Sequence, residues 1–373
     1  MAETLKSRFG PAVVARIGAL LAAAWPAFDR RAFVAEALAG FEELELMARA
    51  DHIATAMQHH LPADFDAAAA ILLSSLDHLQ PTDTSGDAMA AFLLLPHVLY
   101  VGCYGLDHFE SAMRLQHALT QRFTAEFSIR RFLEHDPQRT LRQLETWACD
   151  PNEHVRRLVS EGSRPRLPWA SRLRDFQRDP TPVIALLDKL KDDPSLYVRR
   201  SVANNLNDIG KDHPELLIAT ARRWLSADAS PQRRWIIGHA LRSAVKRGDP
   251  QALALLGYGK PSRLQIDRVA IEPHELAIGD TLTIECELRN PRRQRQSALA
   301  DLRIHYQKAR GDSTVKVFKL KRIELRAGEA IVLRKRLSLA DKTTRRHHPG
   351  EHRVELLLNG KVLPLGSFLL KRC

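Results

Sequence analysis

Residues 150–162 read DPNEHVRRLVSEG and residues 193–206 read DPSLYVRRSVANNL. Both open on Asp-Pro and place Val-Arg-Arg at the same distance from it, so the chain spells one structural unit twice at an offset of 43 residues. A looser third copy, SPQRRWIIGHAL at 230–241, brings its Arg-Arg pair 34 residues after the second. Self-similarity at this period marks stacked helix pairs.

Each copy is legible as a helix start. Asp150 and Asp193 are expected to cap by accepting N-terminal N–H bonds, with Pro151 and Pro194 at the first helical position, where no N–H is missed. Val155, Leu158 and Val159 then fall at i, i+3 and i+4, and Val198, Val202 and Leu206 form the matching stripe, so one face of each helix packs on a partner. Those partners are TLRQLETWA (140–148) and VIALLDKLK (183–191), both with apolar residues at helical spacing. Stacking sets Arg157, Arg200 and Arg234 in a row, with Arg130 and Arg131 of SIRRFLEHDP extending it upstream. A ladder of guanidinium groups suits a phosphate backbone, whose oxygens an Arg fork binds bidentately.

Beyond the linker GYGKPSR (257–263) the hydrophobic period changes to two. TLTIECEL turns Leu282, Ile284, Cys286 and Leu288 inward and Thr283, Glu285 and Glu287 outward, the pattern of a half-buried strand. Turn signals follow at short intervals, and Asn359-Gly360 favours a tight hairpin. The expected fold is therefore multidomain. An all-α HEAT-like repeat solenoid over residues 1–258 precedes an all-β immunoglobulin-like antiparallel sandwich of about seven strands over 262–373.

Composition is consistent with that division. A chain of 373 residues exceeds one typical core, and 45% hydrophobic content is ordinary for a folded protein. Cys103, Cys149, Cys286 and Cys373 are far apart with no CxxC pair, which points away from zinc sites and disulfide frameworks and toward a reducing cytoplasm. IGALLAAAWPAF near the start reads as an amphipathic first helix and not as an export signal. FLLLPHVLYVGCYGL (92–106) is shorter than the ~18 residues of a membrane span and contains Pro96 and His97, so it reads as a buried helix pair.

The net charge of +12 is unevenly spread. Residues 1–120 hold 7 basic against 14 acidic side chains, 121–260 hold 25 against 17, and 261–373 hold 24 against 13. A basic middle and tail suit a polyanionic partner.

Catalytic metal and nucleophile signals are absent: there is no HExxH, GxSxG or phosphate-binding glycine loop, and His59-His60 and His347-His348 are adjacent pairs without a third ligand. They read as surface histidines, and neither metal nor cofactor is expected. What remains is SEGSRPRLPW (160–169), where an acid, two arginines and a tryptophan are stiffened by Pro165 and Pro168. Glu161 and Asp208, each read as lying in the last turn of a helix, face the negative end of the macrodipole at a cost of roughly 0.3–1 kcal/mol when exposed. Something cationic must compensate them, either the arginines or a cationic substrate.

SIRRFL, VRRLVSEGSRPRLPW and YVRRSVANNLNDIGKDHPE together resemble the signature segments of the bacterial DNA alkylation repair glycosylases built from HEAT-like repeats, in the AlkC branch of the AlkC/AlkD superfamily. The resemblance covers roughly residues 1–260, and the sandwich resembles an extension that some AlkC members carry. It implies hydrolysis of the N-glycosidic bond of cationic bases such as 3-methyladenine and 3-methylcytosine in double-stranded DNA, by a monomer, without metal or cofactor, and with the lesion left in the stack instead of flipped out. It further implies that Glu126, Glu161 and Asp208 form the catalytic cluster and Trp169 an aromatic wall. Arg157, Arg164, Arg166, Arg200 and Arg234 would hold the flanking phosphates. Separately, the excess of 24 basic over 13 acidic side chains in residues 261–373 makes the sandwich the expected second clamp on DNA. Trp235 reads as a core residue first and as a DNA contact second. The competing reading is a non-catalytic HEAT-repeat scaffold that binds DNA or protein, which would keep the arginines and have no need of the acids.

Overall fold

The computed structural model describes residues 6, 9–80, 90–226, 228–341 and 345–372, so Cys373 and part of the basic KTTRRHH segment lie outside the described residues. Its N-terminal part is helical and its C-terminal part strand-rich. Two compact units are distinguished: residues 1–213 with 230–239, and residues 214–229 with 240–373.

In the first unit the helices are α1 (Pro11–Ala24), α2 (Arg30–Ala37), α3 (Leu46–His60), α4 (Phe65–Ser75), α5 (Leu95–Tyr104), α6 (Phe109–Thr120), α7 (Glu126–His135), α8 (Pro137–Trp147), α9 (Glu153–Gly162), α10 (Arg174–Arg178), α11 (Thr181–Leu190), α12 (Leu196–Asp212) and, beyond the next helix in chain order, Pro231–Ala240. Helices α3, α5, α7, α9 and α12 pack each on the next as an inner layer, and α8 and α11 back α7, α9 and α12. The expected stripes are the buried ones: Val155, Leu158, Val159, Val198, Val202 and Leu206 are inaccessible to solvent. The inner helices approach closely at Gly162, where an added Cβ would lie 2.4 Å from Ile129 Cγ2. Helix α1 buries Val14, Ile17, Leu20 and Leu21 at helical spacing, as read from the sequence.

Three local expectations are corrected. Asp150 and Asp193 are not the caps: Asn152 Oδ1 accepts from His154 N at 2.8 Å and Ser195 Oγ from Tyr197 N at 3.2 Å. The aspartates sit two residues earlier, and each accepts the cap residue's own N–H at 2.8 Å, an Asx turn that sets the chain's angle of entry. Only the third copy follows the simple pattern, with Pro231 first in its helix and Ser230 Oγ accepting from Arg233 N at 3.1 Å. The 92–106 stretch is not a helix pair but a 3₁₀ turn (Ala90–Leu94) running into the single helix α5, because Pro96 falls in its first turn, where proline is tolerated.

The second unit contains α13 (Pro214–Trp224), and after Pro231–Ala240, which is α14 in chain order, α15 (Arg242–Arg247) and α16 (Pro250–Leu255). Its strands are β1 (Gln265–Glu272), β2 (Glu275–Ala277), β3 (Thr281–Arg289), β4 (Gln296–Gln307), β5 (Ser313–Leu325), β6 (Ala330–Ser338), β7 (Gly350–Leu358) and β8 (Lys361–Lys371). They form sheets of order β1-β3-β6 and β2-β8-β7-β4-β5. Pairing is antiparallel except for the short β2, which runs parallel to β8 and is the strand that the sequence did not disclose. Leu282, Ile284, Cys286 and Leu288 of β3 are buried as read. Side chains from both sheets, among them Ile284, Leu302 and Phe368, share one core. Asn359 and Gly360 both have positive φ (49° and 79°) and form the two-residue hairpin between β7 and β8.

Candidate active site

Beside the inner helices, three acids meet two largely buried arginines. Glu126 opens α7, where an anion suits the positive end of the helix. Its Oε2 receives Thr124 Oγ1 at 3.0 Å and lies 2.7 Å from Arg157 Nη1. Arg157 projects from the middle of α9, and its Nη2 reaches Glu161 Oε1 at 3.6 Å. Glu161 is compensated further by Arg164 Nη1 at 2.6 Å and by Ser201 Oγ, which donates to Oε2 at 2.5 Å. Arg164 continues the chain of charges, with Nε and Nη2 both 2.8 Å from Asp208 Oδ2. Asp208 Oδ1 receives Lys211 Nζ at 2.8 Å. Asp208 lies one turn from the end of α12, which runs past Gly210 to Asp212 and does not stop there as its sequence suggested.

Electrostatics follow from this geometry. Burial opposes the charge on Arg157, but Glu126 and Glu161 outweigh it and raise its pKa. Arg164 behaves likewise between Glu161 and Asp208. Tyr197, whose ring lies 5.4 Å from the Arg157 guanidinium, has its hydroxyl pKa raised by burial.

The 160–169 stretch forms a pinned loop. Arg130 is fully buried under it; its Nη1 donates to the carbonyls of Gly162 (3.1 Å) and Arg164 (2.7 Å) and its Nη2 to that of Ser171. Burial pushes the Arg130 pKa down to about 10. Asn205 Nδ2 adds a bond to Ser160 O at 2.8 Å, and Arg166 grips Asp212 through Nε at 2.9 Å and Nη2 at 2.5 Å. So held, the loop turns out Trp169, which is 62% exposed and has φ of 64°, a left-handed conformation rare for a bulky side chain. Strain of this sort, of order 1–3 kcal/mol, persists only where the surroundings impose it.

The predicted residues are thus divided. Glu126, Glu161, Asp208, Arg157 and Arg164 come together in one network, and Arg166 sits next to it on Asp212. Arg200 and Arg234 are exposed on α12 and α14. Arg130, read as part of an outward row, is instead wholly inside. Trp235 is not a core residue: it is exposed and stacked on His239, with the Arg199 guanidinium 5.9 Å from its ring. His60 and His59 share Glu36, and His347 is buried, so those pairs are not simply surface histidines. Tyr197, Ser201 and Lys211 were missed. For the first two the signal was available, since Tyr197, Ser201, Asn205, Asp208 and Asp212 recur every three or four residues and form a polar stripe beside the apolar one.

Across the whole chain, a solved structure of Pseudomonas fluorescens alkylpurine DNA glycosylase AlkC bound to DNA containing an abasic site analog matches with TM-score 0.92 and 38% identity, covering 99% of this chain and 100% of that one. The chain belongs to the AlkC family. A second relative, protein YhaZ of Bacillus subtilis (strain 168), is 36% identical over 359 residues, 96% of this chain and 97% of its own. Residues 265–372 match the family described as YhaZ, C-terminal Ig-like domain, so the sandwich is part of this AlkC-family architecture. Among the described residues no helix is long and apolar enough to cross a membrane.

Proposed function

We propose that this AlkC-family protein is an alkylation repair glycosylase that removes cationic methylated bases, 3-methyladenine and 3-methylcytosine, from double-stranded DNA. The observation that carries this reading is the acid cluster itself. Glu161 and Asp208 are both ion-paired to the buried Arg164 between them, with Glu126 joined through Arg157. Carboxylates so fixed need no reorganisation to stabilise positive charge that grows beside them.

The chemistry asks for little else. A methylated base already carries a positive charge, so when the C1′–N bond breaks its electron pair neutralises the departing base and no strong general acid is needed. Charge then passes to the sugar as oxocarbenium character. Fixed carboxylates stabilise that cation, and one of them orients a water whose oxygen adds to C1′ and whose proton is lost to solvent. Trp169 offers a cation–π surface worth ~0.5–2 kcal/mol to a charged base. A wall displayed on a pinned loop and 62% exposed favours a lesion that stays in the stack. Arg200, Arg234 and the basic loops of the sandwich, Arg292 and Arg293 among them, are the proposed phosphate contacts, the latter as a second clamp. The test is release of base from methylated duplex DNA by the purified protein. Detection of free 3-methyladenine with abasic sites left behind is the expected result; DNA binding with no release would leave only a scaffold.

A further inference from the structure

The acid cluster is already neutral before any substrate arrives. Three carboxylates, Glu126, Glu161 and Asp208, directly contact three cations, Arg157, Arg164 and Lys211. Arg130 lies behind them, its charge offset first by Glu134 and then by Glu126 and Asp208, so the balance is kept. A cationic nucleoside or oxocarbenium ion entering this arrangement would leave an excess of buried positive charge, so favourable entry requires one resident cation to go.

Only one is able to. Arg157 and Arg164 are largely buried, and each bridges two acids. Lys211 is different on each count: its side chain is 43% exposed, it touches one acid, and its ammonium rides on a flexible four-carbon stem. Asp208 shows the same asymmetry from the other side. Its Oδ2 is fixed by two nitrogens of Arg164, whereas Oδ1 receives the half-exposed Lys211 Nζ at 2.8 Å.

We propose that Lys211 is a displaceable counter-ion and a positioning residue: its ammonium occupies the place on Asp208 that the cationic sugar takes, and it swings to a backbone phosphate when damaged DNA binds. The proposal rests on the glycosylase reading. It makes Lys211 a competitor that only a cationic sugar has to displace, because a neutral nucleoside gains nothing by moving it. Intact DNA therefore meets a closed, neutral cluster, and only a substrate carrying positive charge opens it.

The experiment uses the full-length protein and two duplexes, one with a protonated pyrrolidine (iminosugar) abasic analogue and one with the neutral tetrahydrofuran analogue. The readout is the ratio of their dissociation constants. The parent and the Lys211→Arg variant should prefer the cation modestly. Lys211→Met and Lys211→Gln, which remove the competitor at an exposed position, should raise that preference about tenfold, the scale of one charge-assisted contact, while binding the neutral duplex about as tightly as the parent and the cationic one with a salt slope shallower by about 0.9. A ratio in both variants equal to or below the parental one overturns the proposal. Asp208→Asn should abolish the preference. A parent that shows no preference and releases no 3-methyladenine would instead sink the glycosylase reading, and this inference with it.

Discussion

Arg156 of one repeat binds Asp193 of the next through two bonds, Nε to Oδ2 at 2.7 Å and Nη2 to Oδ1 at 3.1 Å, while its Nη1 donates to the carbonyls of Asp150 and Pro151 at 2.9 Å each. Arg199 repeats the second half of the pattern on Asp193 and Pro194. The Asp-Pro and Val-Arg elements of the repeated motif are thus partners across a helix interface. Because the pair is mostly buried, Arg156→Met or Asp193→Asn should each cost about 3–5 kcal/mol in urea unfolding, and the double variant clearly less than their sum. Additive costs would show that the two residues act separately.

Glu161→Gln and Asp208→Asn should bind methylated DNA nearly as well as the parent but excise about 10²–10³-fold more slowly under single-turnover conditions, since each removes charge felt chiefly when the sugar becomes cationic. Glu126→Gln should follow in the same direction. Parental rates in the first two variants would remove them from the catalytic assignment.

Trp169 allows activity and stability to be separated. Trp169→Ala should slow excision while leaving the unfolding midpoint nearly unchanged. Trp169→Gly should be equally slow yet up to ~1 kcal/mol more stable than the Ala variant, the reverse of the usual order, because glycine accepts the left-handed φ without strain. A Gly variant less stable than the Ala variant would show that the strain is not there.

His97 sets an acid limit. It is wholly buried in α5 with neither ring nitrogen hydrogen-bonded, and burial pushes its pKa from 6.5 down to about 4. The unfolded chain therefore binds a proton that the folded one refuses. The stability is fully present above about pH 6.5 and is lost as pH falls toward 4, with about 2 kcal/mol gone between about pH 7 and about pH 5. Urea unfolding at both values should show this loss, and His97→Leu should flatten it. An unchanged slope in the variant would place the acid sensitivity elsewhere.

The proposed clamp is tested at Arg292 and Arg293, both exposed between β3 and β4. Replacing both with Gln should leave excision under excess enzyme close to parental while reducing the log–log salt slope of DNA binding by as much as about 2, near 0.9 for each phosphate lost. An unaltered slope would exclude these loops from the DNA.

How far the sequence was legible depended on the type of signal. Periodicity disclosed the solenoid, the strands and the β7–β8 hairpin, because burial imposes a spacing that each residue must obey. It also drew Glu161 and Asp208 out, as anions at the wrong end of a helix. Which arginine of each Arg-Arg pair points where was not legible. Arg156 and Arg157 differ by about 100° around the helix axis, and the outcome was decided by acids on other helices, Asp193 for one and Glu126 for the other. Arg130 was unreadable for a related reason: its partners are main-chain carbonyls of a loop more than thirty residues away, and carbonyls have no sequence signature.

Helix α9 begins 27 residues after α7, but α12 begins 43 after α9. The surplus falls between Gly162 and α11, and Arg164, Arg166 and Trp169 all stand in it, whereas Glu126, Glu161 and Asp208 belong to the regular helices. The offset that betrays the repeat is therefore its exception: the acids are native to an ordinary stack, and an insertion brings the arginine that couples two of them and the tryptophan that faces outward. Excising that insertion would shorten the step to the length of its predecessor and leave a plain solenoid in which Arg157 still joins Glu126 to Glu161 but nothing joins Glu161 to Asp208.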